Sequence, residues 1–387
     1  MGVKYGYKMT EVGVIPQDWS AKQLNGVCQL KSGSPITSAK ISDFEQYPCY
    51  GGNGLRGYTN SYTHSGKFCL IGRQGALCGN INFVDDIFFA SEHAIVVTPR
   101  NDFDIKWLSY VLSKMNLNQY SESSAQPGLS VNKVSILYIP TPPTKVEQTA
   151  IATALSDADA LITSLEKLIA KKRCIKQGVM QQLLTPKEGW VKRRLGDSAE
   201  IFRGGSPRPI ESYITANPDG INWIKIGDVS KSAKFIESTE EKIIKEGMSR
   251  SRYVKEGDFL LSNSMSFGRP YILKTNGCIH DGWLVIQNYQ YHFDKEFLYY
   301  VLGSESIMIQ YKAMASGSSV LNLNKEIVQN VVVNCPESVQ EQNRISTILS
   351  DIDNDINTLE HKQSKQIFIK HALMQQLLTG KIRLVKS

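Results

Sequence analysis

The sequence predicts an α+β protein in which two mixed globular regions alternate with two long helices, as a pseudo-twofold internal repeat. The strongest observation is a duplication. Residues 142–187 and 336–381 align without a gap, 194 positions apart, and are identical at 22 of 46 positions. The regions that precede the two copies also share a sparser set of matching positions. A repeat of this length sets the organisation of the chain before any local pattern is interpreted.

Each repeated segment reads as one long helix. Near its start stands a capping-box pattern, Thr144 with Glu147 and Ser338 with Glu341, in which the hydroxyl accepts from the third backbone N–H and the glutamate reaches back. The apolar positions that follow alternate between spacings of four and three, as in a coiled-coil seam. They are Ile151, Leu155, Ala158, Ile162, Leu165 and Ile169 in the first copy, and Ile345, Leu349, Ile352, Ile356 and Leu359 in the second.

Pro186 and Gly380 should end the two helices at matching places. About 40 helical residues span roughly 60 Å, too long for a helix inside one compact domain. A spacer is therefore favoured, although two ordinary amphipathic helices of a repeat protein are the plain alternative. The predicted divisions are a first globular domain at 1–143, helices at 144–185 and 337–379, a second globular domain at 186–336, and a tail at 380–387 beside the first domain.

The two globular regions are themselves diverged copies. The matching positions are Trp19, Leu24 and Gly33 with Trp190, Leu195 and Gly204, and Asp104, Leu108 and Tyr110 with Asp294, Leu298 and Tyr300. Apolar runs between turn residues predict strands at 68–72, 94–98, 221–226, 259–262, 283–287 and 331–333. Short helices are predicted at 105–115 and 295–304. Each region should therefore be a compact α+β domain with a twisted sheet.

The unmatched stretches of both regions are rich in Gly, Ser, Asn, Tyr and Arg. They are residues 31–36, 50–60 and 73–82 in the first region, and 203–208, 249–255 and 262–269 in the second. Such loops can bring planar and cationic side chains close to a ligand. Arginine and lysine suit guanine edges, asparagine and glutamine suit adenine edges, and tyrosine or serine can hold phosphates. Ordinary polar surface loops have a similar composition, so the pattern alone is weak.

Composition limits the classes of function. The net charge of +7 is modest, so a polyanion would have to meet a local patch. The cysteine count is odd, at seven, and no C-x-x-C occurs, which argues for reduced thiols in a cytosolic protein and against a zinc site. No apolar run is long enough to predict a membrane span.

Motifs of catalysis are also missing from the sequence. There is no phosphate-binding P-loop and no Asn/Asp-Pro-Pro-aromatic tetrapeptide of an amino-methyltransferase. One G-x-G-x-x-G occurs at Gly52, Gly54 and Gly57, but the residues after it do not start a helix, as a dinucleotide site would require. We predict no catalytic residue, no metal site and no cofactor bound by this chain.

Several of these motifs together resemble the specificity subunit of type I restriction–modification systems. The resemblance covers nearly the whole chain. Its most specific parts are Pro-x4-Glu-Gln at the start of each helix, the Leu-Ser-Asp-x-Asp segments at 155–159 and 349–353, and the repeated MQQLLT at 180–185 and 374–379. The stretch KEGDFLLS at 255–262 also looks like that family, whereas GKFCLI at 66–71 is a looser version.

The resemblance implies a complete functional scheme. Each globular region would be a target recognition domain that reads one half of a split site in double-stranded DNA. The helices would pack as an antiparallel coiled coil that fixes the distance between the halves. Two methyltransferase subunits would dock on the helices and restriction (motor) subunits would join them, carrying S-adenosylmethionine, ATP and Mg²⁺. The specificity subunit itself would do no chemistry.

Under this scheme we assign individual residues to DNA and to partners. The predicted phosphate contacts are Lys31, Tyr58, Lys192, Arg193 and Arg194, and the predicted base readers are Arg56, Arg73, Gln74, Arg203, Arg208, Asn263 and Arg269. The predicted outer, partner-binding face of the helices carries Glu147, Gln148, Lys171, Lys176, Gln181, Glu341, Gln342, Lys365, Lys370 and Gln375.

Two alternatives belong to other classes of function. A single-chain nuclease or methyltransferase is disfavoured by the missing motifs. A coiled-coil adaptor whose globular regions bind proteins, with no sequence-specific DNA binding, is separated from the main hypothesis by salt-sensitive binding to one duplex sequence.

Overall fold

The computed structural model describes residues 5–75, 77–122, 127–230, 233–263, 267–315 and 322–384. The chain divides into two compact units. Unit 1 comprises residues 1–167 and 361–387, and unit 2 comprises residues 168–360. Helices and strands are mixed in both, which confirms the α+β class. No helix in the described part of the chain has both the length and the apolar character of a membrane span.

Two helices are far longer than the rest, as the repeat predicts. Helix α4 is Lys145–Leu184 and helix α9 is Val339–Leu377. Each gives one part to each unit: unit 1 contains residues 145–167 of α4 with 361–377 of α9, and unit 2 contains the remainder. Helix α9 ends in a Schellman arrangement, in which Gly380 has φ +69° and the Lys381 N–H donates to the Gln376 carbonyl at 2.9 Å.

In unit 1 the two helix segments run antiparallel. Gln363 Nε2 donates to Glu166 Oε1 at 3.2 Å, and Lys370 Nζ lies 2.5 Å from Asp159 Oδ1. Partner numbers fall along one helix as they rise along the other, which defines the direction. The predicted seam residues Ile151 and Leu155 are buried in the core of the globular part of this unit, so the start of α4 packs on that domain.

Unit 2 repeats the antiparallel pairing with its own helix segments. Lys172 Nζ lies 2.7 Å from Asp355 Oδ2, and Lys176 Nζ lies 2.6 Å from Asp353 Oδ1. Here the start of α9 is the part that packs on the globular domain, through Ile345 and Leu349.

The globular part of unit 1 is built on a six-stranded sheet with the order β4-β9-β7-β8-β5-β6, antiparallel except between β5 and β8. Two short ladders, β1-β2 and β3-β10, complete it. The strands are β1 Tyr7–Thr10, β2 Gly13–Pro16, β3 Ser20–Gln23, β4 Cys28–Ser32, β5 Tyr47–Gly51, β6 Gly54–Thr59, β7 His64–Gly72, β8 Ile81–Ala90, β9 Ala94–Pro99 and β10 Tyr138–Thr141. The helices are α1 Leu24–Val27, α2 Ile105–Lys114 and α3 Val131–Ser135, with 3₁₀ turns at Ser38–Lys40 and Leu117–Tyr120.

The globular part of unit 2 has two five-stranded sheets, β12-β21-β18-β19-β15 and β13-β16-β14-β20-β17, and a ladder β11-β22. The strands are β11 Trp190–Arg194, β12 Glu200–Arg203, β13 Ile214–Thr215, β14 Ile221–Ile224, β15 Phe235–Ile236, β16 Glu241–Ile243, β17 Arg252–Val254, β18 Phe259–Ser262, β19 Pro270–Leu273, β20 Gly277–Ile279, β21 Trp283–Gln287 and β22 Val332–Pro336. The helices are α5 Leu195–Ser198, α6 Lys295–Leu302, α7 Glu305–Ala315 and α8 Lys325–Asn330, with 3₁₀ turns at Ile210–Ser212, Ile226–Asp228 and Lys245–Arg250.

The predicted capping boxes form only in part. The Glu147 N–H donates to the Thr144 hydroxyl at 3.2 Å, as expected for half of a box. The Glu147 carboxylate does not return to Thr144, because it binds Arg383. At the other helix the Glu341 N–H donates to the main-chain carbonyl of Ser338.

Candidate functional site

A tight turn in each globular domain lies against the glycine that ends the repeated Trp-Leu-Gly pattern. In unit 1 the turn is residues 91–94, closed by the Ala94 N–H donating to the Ser91 carbonyl at 2.9 Å. Gly33 crosses it and donates its own N–H to the Ala94 carbonyl. A Cβ on Gly33 would overlap the Ser91 carbonyl oxygen. Only glycine permits this backbone approach, which explains its place in the pattern.

Unit 2 repeats this crossing with different side chains. The turn is residues 280–283, closed by the Trp283 N–H donating to the His280 carbonyl at 3.0 Å. The Gly204 N–H donates to the Trp283 carbonyl, and a Cβ on Gly204 would overlap the His280 carbonyl oxygen. The two units therefore share a main-chain scaffold and differ in the residues that it displays.

In unit 1 the crossing gathers several predicted DNA-contacting residues. Arg73 Nη1 donates to the Ser32 hydroxyl at 3.2 Å, next to Gly33. Gln74 Oε1 lies 2.8 Å from His93 Nδ1, a residue of the turn. The Glu92 carboxylate accepts from the Ile36 N–H at 3.1 Å and so fixes the segment that follows Gly33. The side chain of Arg56 packs beside Gly51 in the adjacent β5-β6 hairpin and is exposed.

In unit 2 a single carboxylate, Asp281, organises the corresponding crossing. It accepts from the Ser206 hydroxyl at 3.0 Å and lies 3.6 Å from Arg208 Nη2. Arg203 Nε donates to the Asp281 main-chain carbonyl at 3.2 Å. Arg203 and Arg208 remain exposed, so two predicted base readers both contact Asp281 of the turn from outside it. Asp281 was not predicted, and a lone carboxylate in a loop gives no sequence signal.

One predicted base reader, Asn263, is wrongly assigned. Asn263 is buried, at 6% exposure, and its Nδ2 donates to the Asp281 carbonyl at 3.3 Å, so the side chain supports the turn and is not displayed for base reading. Arg193 is half-buried on β11, beside the Cys335 thiol. Its inward position follows from strand alternation, which exposes Lys192 and Arg194 on either side. Residues 264–266 of the loop after Asn263 lie outside the described residues.

The remaining predicted contact residues form none of the hydrogen bonds described above for the two crossings. Lys31 is exposed on β4, and Tyr58 is half-buried on β6, whose main chain pairs with Ser42. Arg194 donates to Asn330 Oδ1 on the β11-β22 side of unit 2. Arg269 lines a groove with Tyr299 and Met180, the latter on α4, and is not part of the Asp281 turn.

The glutamine of the Glu-Gln pair that opens each long helix is buried, not exposed. Gln148 Oε1 accepts from the Asp104 N–H at 2.9 Å, and Gln342 Oε1 accepts from the Asp294 N–H at 2.9 Å. Each aspartate caps a short helix of its own domain. The glutamines therefore join long helix to domain, and their assignment to an outer, partner-binding face is wrong.

Glu147 is also wrongly assigned to the outer face. Its side chain is 1% exposed and binds the Arg383 guanidinium, with 2.8 Å between Nη2 and Oε2. Arg383 also makes two bonds to Asp18, of 2.9 and 3.0 Å. The bonds from Arg383 lower the pKa of Asp18. The bonds to Glu147, together with those to Asp18, raise the pKa of Arg383. No local pattern could predict this, because Glu147 and Arg383 lie 236 residues apart.

The other predicted partner-binding positions divide into two groups. Those that are exposed are Lys171, Gln181, Glu341, Lys365 and Gln375. Lys176 and Lys370 are half-buried in the ion pairs with Asp353 and Asp159 that hold the helix segments together. The exposed positions include two repeat-related pairs, Lys171 with Lys365 and Gln181 with Gln375.

All seven cysteines are free and six of them are buried. Burial raises the pKa of the Cys28 thiol to about 12. Among the described residues, no group of three or more His, Cys, Asp or Glu side chains is placed to hold a metal ion. The two crossings offer hydrogen bonding and charge pairing by arginine, glutamine and histidine side chains.

Comparison with known proteins finds matches along most of the chain. The family model described as "Type I restriction modification DNA specificity domain" matches residues 16–173 and 187–368. The specificity subunit of the EcoprrI type I restriction enzyme of Escherichia coli is 40% identical over 151 residues, which are 38% of this chain and 37% of that subunit. A putative MjaX specificity subunit of Methanocaldococcus jannaschii is 25% identical and aligns with 97% of this chain and 96% of its own length. In fold, the crystal structure of an S subunit from M. genitalium covers 96% of this chain and 97% of its own, with a TM-score of 0.63 and 17% identity.

Proposed function

The chain belongs to the family of type I restriction–modification DNA specificity subunits, and we propose that it reads a bipartite site in duplex DNA while holding methyltransferase and restriction subunits on that site. DNA sequence recognition is the role of this family, and the subunit is not itself a catalyst. The resemblance given by the sequence motifs is thereby confirmed. The adaptor without specific DNA binding is not favoured, because the family model matches both globular regions.

One observation carries the bipartite part of the proposal. The crossings at Gly33 and Gly204 share their main-chain hydrogen bonds but display different side chains: Arg73, Gln74 and His93 in one, and Arg203, Arg208 and His280 in the other. A common scaffold with different displayed groups suits two recognition domains that read two different half-sites. Arginine and glutamine are the side chains that most often read purine edges bidentately in the major groove.

We assign base reading to the arginine and glutamine side chains of each crossing and of its neighbouring hairpin. In unit 1 these are Arg56, Arg73 and Gln74, and in unit 2 they are Arg203 and Arg208. Lys31, Tyr58, Lys192 and Arg194 are proposed phosphate contacts, which position the protein without reading sequence. Arg269 is kept as a candidate contact at a separate groove of unit 2.

The test uses the full chain assembled with its methyltransferase partner and a library of randomised DNA duplexes. Methylated duplexes are sequenced to obtain both half-sites. Replacing Arg203 and Arg208 by alanine should relax discrimination in one half-site only, and replacing Arg73 and Gln74 should relax the other. Each lost bidentate contact should reduce discrimination at its base pair by about 1–3 kcal/mol. Lys133→Ala, which removes an exposed charge from α3, serves as the control.

Two other outcomes would each contradict a different part of the proposal. A uniform loss of binding to all sequences would make these residues phosphate contacts. If the wild-type complex enriches no sequence at all, the recognition function is excluded for this chain.

Two methyltransferase subunits are the proposed occupants of the exposed helix positions. Lys171 with Lys365, and Gln181 with Gln375, are exposed at equivalent places of the repeat. Ile175 and Ile369 are a further equivalent pair and expose apolar surface, at 43% and 38%. Two copies of one partner would then meet the same side chains. S-adenosylmethionine, ATP and Mg²⁺ are proposed for partner subunits, and a cytoplasmic location, where such a complex would meet DNA, belongs to the same proposal.

The docking surface can be tested by pull-down of purified methyltransferase subunit on the full chain. Lys171→Glu and Lys365→Glu should each remove one of two bound subunits, and the double variant should remove both. Lys245→Glu, at an exposed position of a globular domain, should leave both bound. Retention of two subunits by the double variant would contradict the assignment.

A further inference from the structure

In each unit a buried tyrosine contacts an aspartate and a lysine, and the three residues occupy equivalent positions in the two units. In unit 1 the Tyr110 hydroxyl, on α2, donates to Asp159 Oδ2 at 2.7 Å. Lys370 lies on the antiparallel helix and places its Nζ 2.5 Å from Asp159 Oδ1. The lysine also lies 5.8 Å from the centroid of the Tyr110 ring. Three elements, one from the globular domain and one from each long helix, therefore meet at a single carboxylate.

Unit 2 repeats the cluster position by position. The Tyr300 hydroxyl, on α6, donates to Asp353 Oδ2 at 2.7 Å, and Lys176 Nζ lies 2.6 Å from Asp353 Oδ1. Lys176 lies 5.5 Å from the centroid of the Tyr300 ring. Here the aspartate comes from α9 and the lysine from α4, the reverse of unit 1. We call the two clusters the unit 1 triad and the unit 2 triad.

Both tyrosines are fixed as neutral donors. Burial, together with the hydrogen bond to the aspartate, raises the pKa of Tyr110 and of Tyr300 well above the ordinary value. The hydroxyl therefore keeps its proton at any physiological pH and donates to the carboxylate. A hydrogen bond to a charged group is stronger than one between neutral groups. The bond is directional, so it fixes the angle of α2 or α6 against the helix pair as well as the distance.

The sequence motifs of the repeat converge on these triads. The Leu-Ser-Asp-x-Asp segments supply Leu155 to the core of unit 1 and Leu349 to that of unit 2, and their last aspartates to the triads. The Asp-x3-Leu-x-Tyr pattern of the domains supplies the tyrosines. Together with the buried glutamines, the triads are the polar joints between each globular domain and the helices.

We propose that the two triads set the rotational position of the recognition domains on the helix pair, and thereby the length of DNA spacer that the protein accepts between its half-sites. This inference rests on the proposed bipartite function. Tyr110, Asp159 and Lys370, with Tyr300, Asp353 and Lys176, are then positioning residues. They need not touch DNA, and their role is separable from base reading. Because successive base pairs are about 3.4 Å apart along the duplex, small rotations of a domain are enough to change the preferred spacer by one base pair.

The triads are tested with Tyr110→Phe, Tyr300→Phe and the double variant, each assembled as the full chain with its methyltransferase partner. Phenylalanine keeps the ring and removes only the bond to the carboxylate. The probe is a randomised duplex library, followed by duplexes that carry the selected half-sites with spacers one base pair longer and shorter. Tyr138→Phe, at an exposed position of β10 outside the triads, is the matched control. Lys370→Arg tests rescue, because arginine can still pair with Asp159.

We expect the half-site bases to stay unchanged in every variant. The preference of the double variant for the wild-type spacer over its two neighbours should fall roughly tenfold, the factor that 1.4 kcal/mol represents. The two single variants should have equal, smaller effects, since the spacer depends on both joints. Tyr138→Phe and Lys370→Arg should keep the wild-type preference. A general loss of stability would lower methylation on all spacers alike and would leave this ratio untouched.

The outcomes separate this inference from the proposed function. If the wild-type complex enriches a bipartite site and the double variant keeps its spacer distribution, the triads do not set the spacer. Altered half-site bases in the tyrosine variants would also overturn the inference, because they would place the tyrosines in base reading. A wild-type complex that enriches no bipartite site overturns the proposed function first.

Discussion

The first turns of the two long helices carry the same Glu-Gln pair, yet they are held in different ways. Gln148 and Gln342 both accept from the N–H of a domain aspartate. Glu147 is buried against Arg383, whereas Glu341 is exposed. The glutamine of the pair thus accepts an equivalent bond in both units, whereas the glutamate is buried in only one of them.

The position of Arg383 explains the difference. By the offset of the repeat, Arg383 corresponds to Gly189, which lies in the short connection between α4 and β11 of unit 2. In that unit the chain itself joins the end of a long helix to the strand that begins with Trp190. In unit 1 the end of α9 and the segment before Trp19 are far apart in sequence, and Arg383 joins them through Asp18 and Glu147. A covalent connection in one unit is replaced by an ionic one in the other.

Breaking the ionic connection should have the largest effect. Arg383→Ala leaves the Glu147 carboxylate buried and unpaired, which typically costs about 3–5 kcal/mol. We expect unit 1 to unfold at clearly lower denaturant or temperature, as followed by hydrogen exchange of its amides, with unit 2 little affected. The matched substitution Glu341→Gln should change stability by less than about 0.5 kcal/mol, as exposed positions usually do.

A second variant tests whether the unpaired charge of Glu147 causes the loss of stability. Adding Glu147→Gln to Arg383→Ala removes the unpaired charge and should recover part of the lost stability. If Arg383→Ala and Glu341→Gln have equal effects, the asymmetry between the units has no energetic meaning.

Both helix starts contain a buried glutamine, and substituting each glutamine tests the comparison between the units further. Gln342 bonds the Asp294 N–H and also donates to the carbonyls of His292 and Pro336, whereas Gln148 bonds the Asp104 N–H. Leaving a buried polar group unsatisfied costs about 1–3 kcal/mol. Gln342→Ala should therefore destabilise unit 2 more than Gln148→Ala destabilises unit 1. Urea unfolding of both variants, beside the control Gln340→Ala at an exposed position, decides between this order and its reverse.

Much of the fold follows from local patterns in the sequence. The strands predicted at 259–262 and 283–287 have the observed bounds, and the long helices predicted at 144–185 and 337–379 are observed at Lys145–Leu184 and Val339–Leu377. Short apolar runs between turn residues, and caps at helix ends, are properties of neighbouring residues. They survive tertiary folding because the tertiary contacts reinforce them.

The site was less predictable because its determinants are contacts between distant residues. Glutamate and glutamine at a helix start normally face water, and the burial of Glu147, Gln148 and Gln342 depends on partners far away in the sequence. Asparagine is a residue type that can read a base, but the Asn263 side chain donates to the Asp281 carbonyl and so supports the turn. The repeated Leu-Ser-Asp-x-Asp motif was visible from the sequence, while its function as a joint required the positions of Tyr110 and Tyr300.

Substituting the glycine of each crossing tests whether the two proposed recognition surfaces act independently of each other. Gly33→Ala would force the unit 1 turn away from the strand that it crosses, and Gly204→Ala would do the same in unit 2. Overpacking of this kind costs about 1–3 kcal/mol. We expect each variant to weaken discrimination in its own half-site only, as measured by sequencing of methylated duplexes. Gly26→Ala, where a Cβ meets open space, is the control. Loss of discrimination in both half-sites from either variant would contradict independent surfaces.

The smallest expected effect is the dependence on pH that the Asp18–Arg383 pair gives to unit 1. The hydrogen bond from Arg383 lowers the pKa of Asp18, so the pair stabilises the fold above the unfolded pKa of about 3.9 and this contribution is lost as the pH falls through the folded value. Because Asp18 is largely exposed, the contribution at neutral pH should be below about 1 kcal/mol. The difference in unfolding temperature between wild type and Asp18→Asn should be constant from about pH 7 to 5 and should close below about pH 4. A difference that persists unchanged to pH 3 would mean that Asp18 acts through packing, and that the charge of Arg383 is held by Glu147 alone.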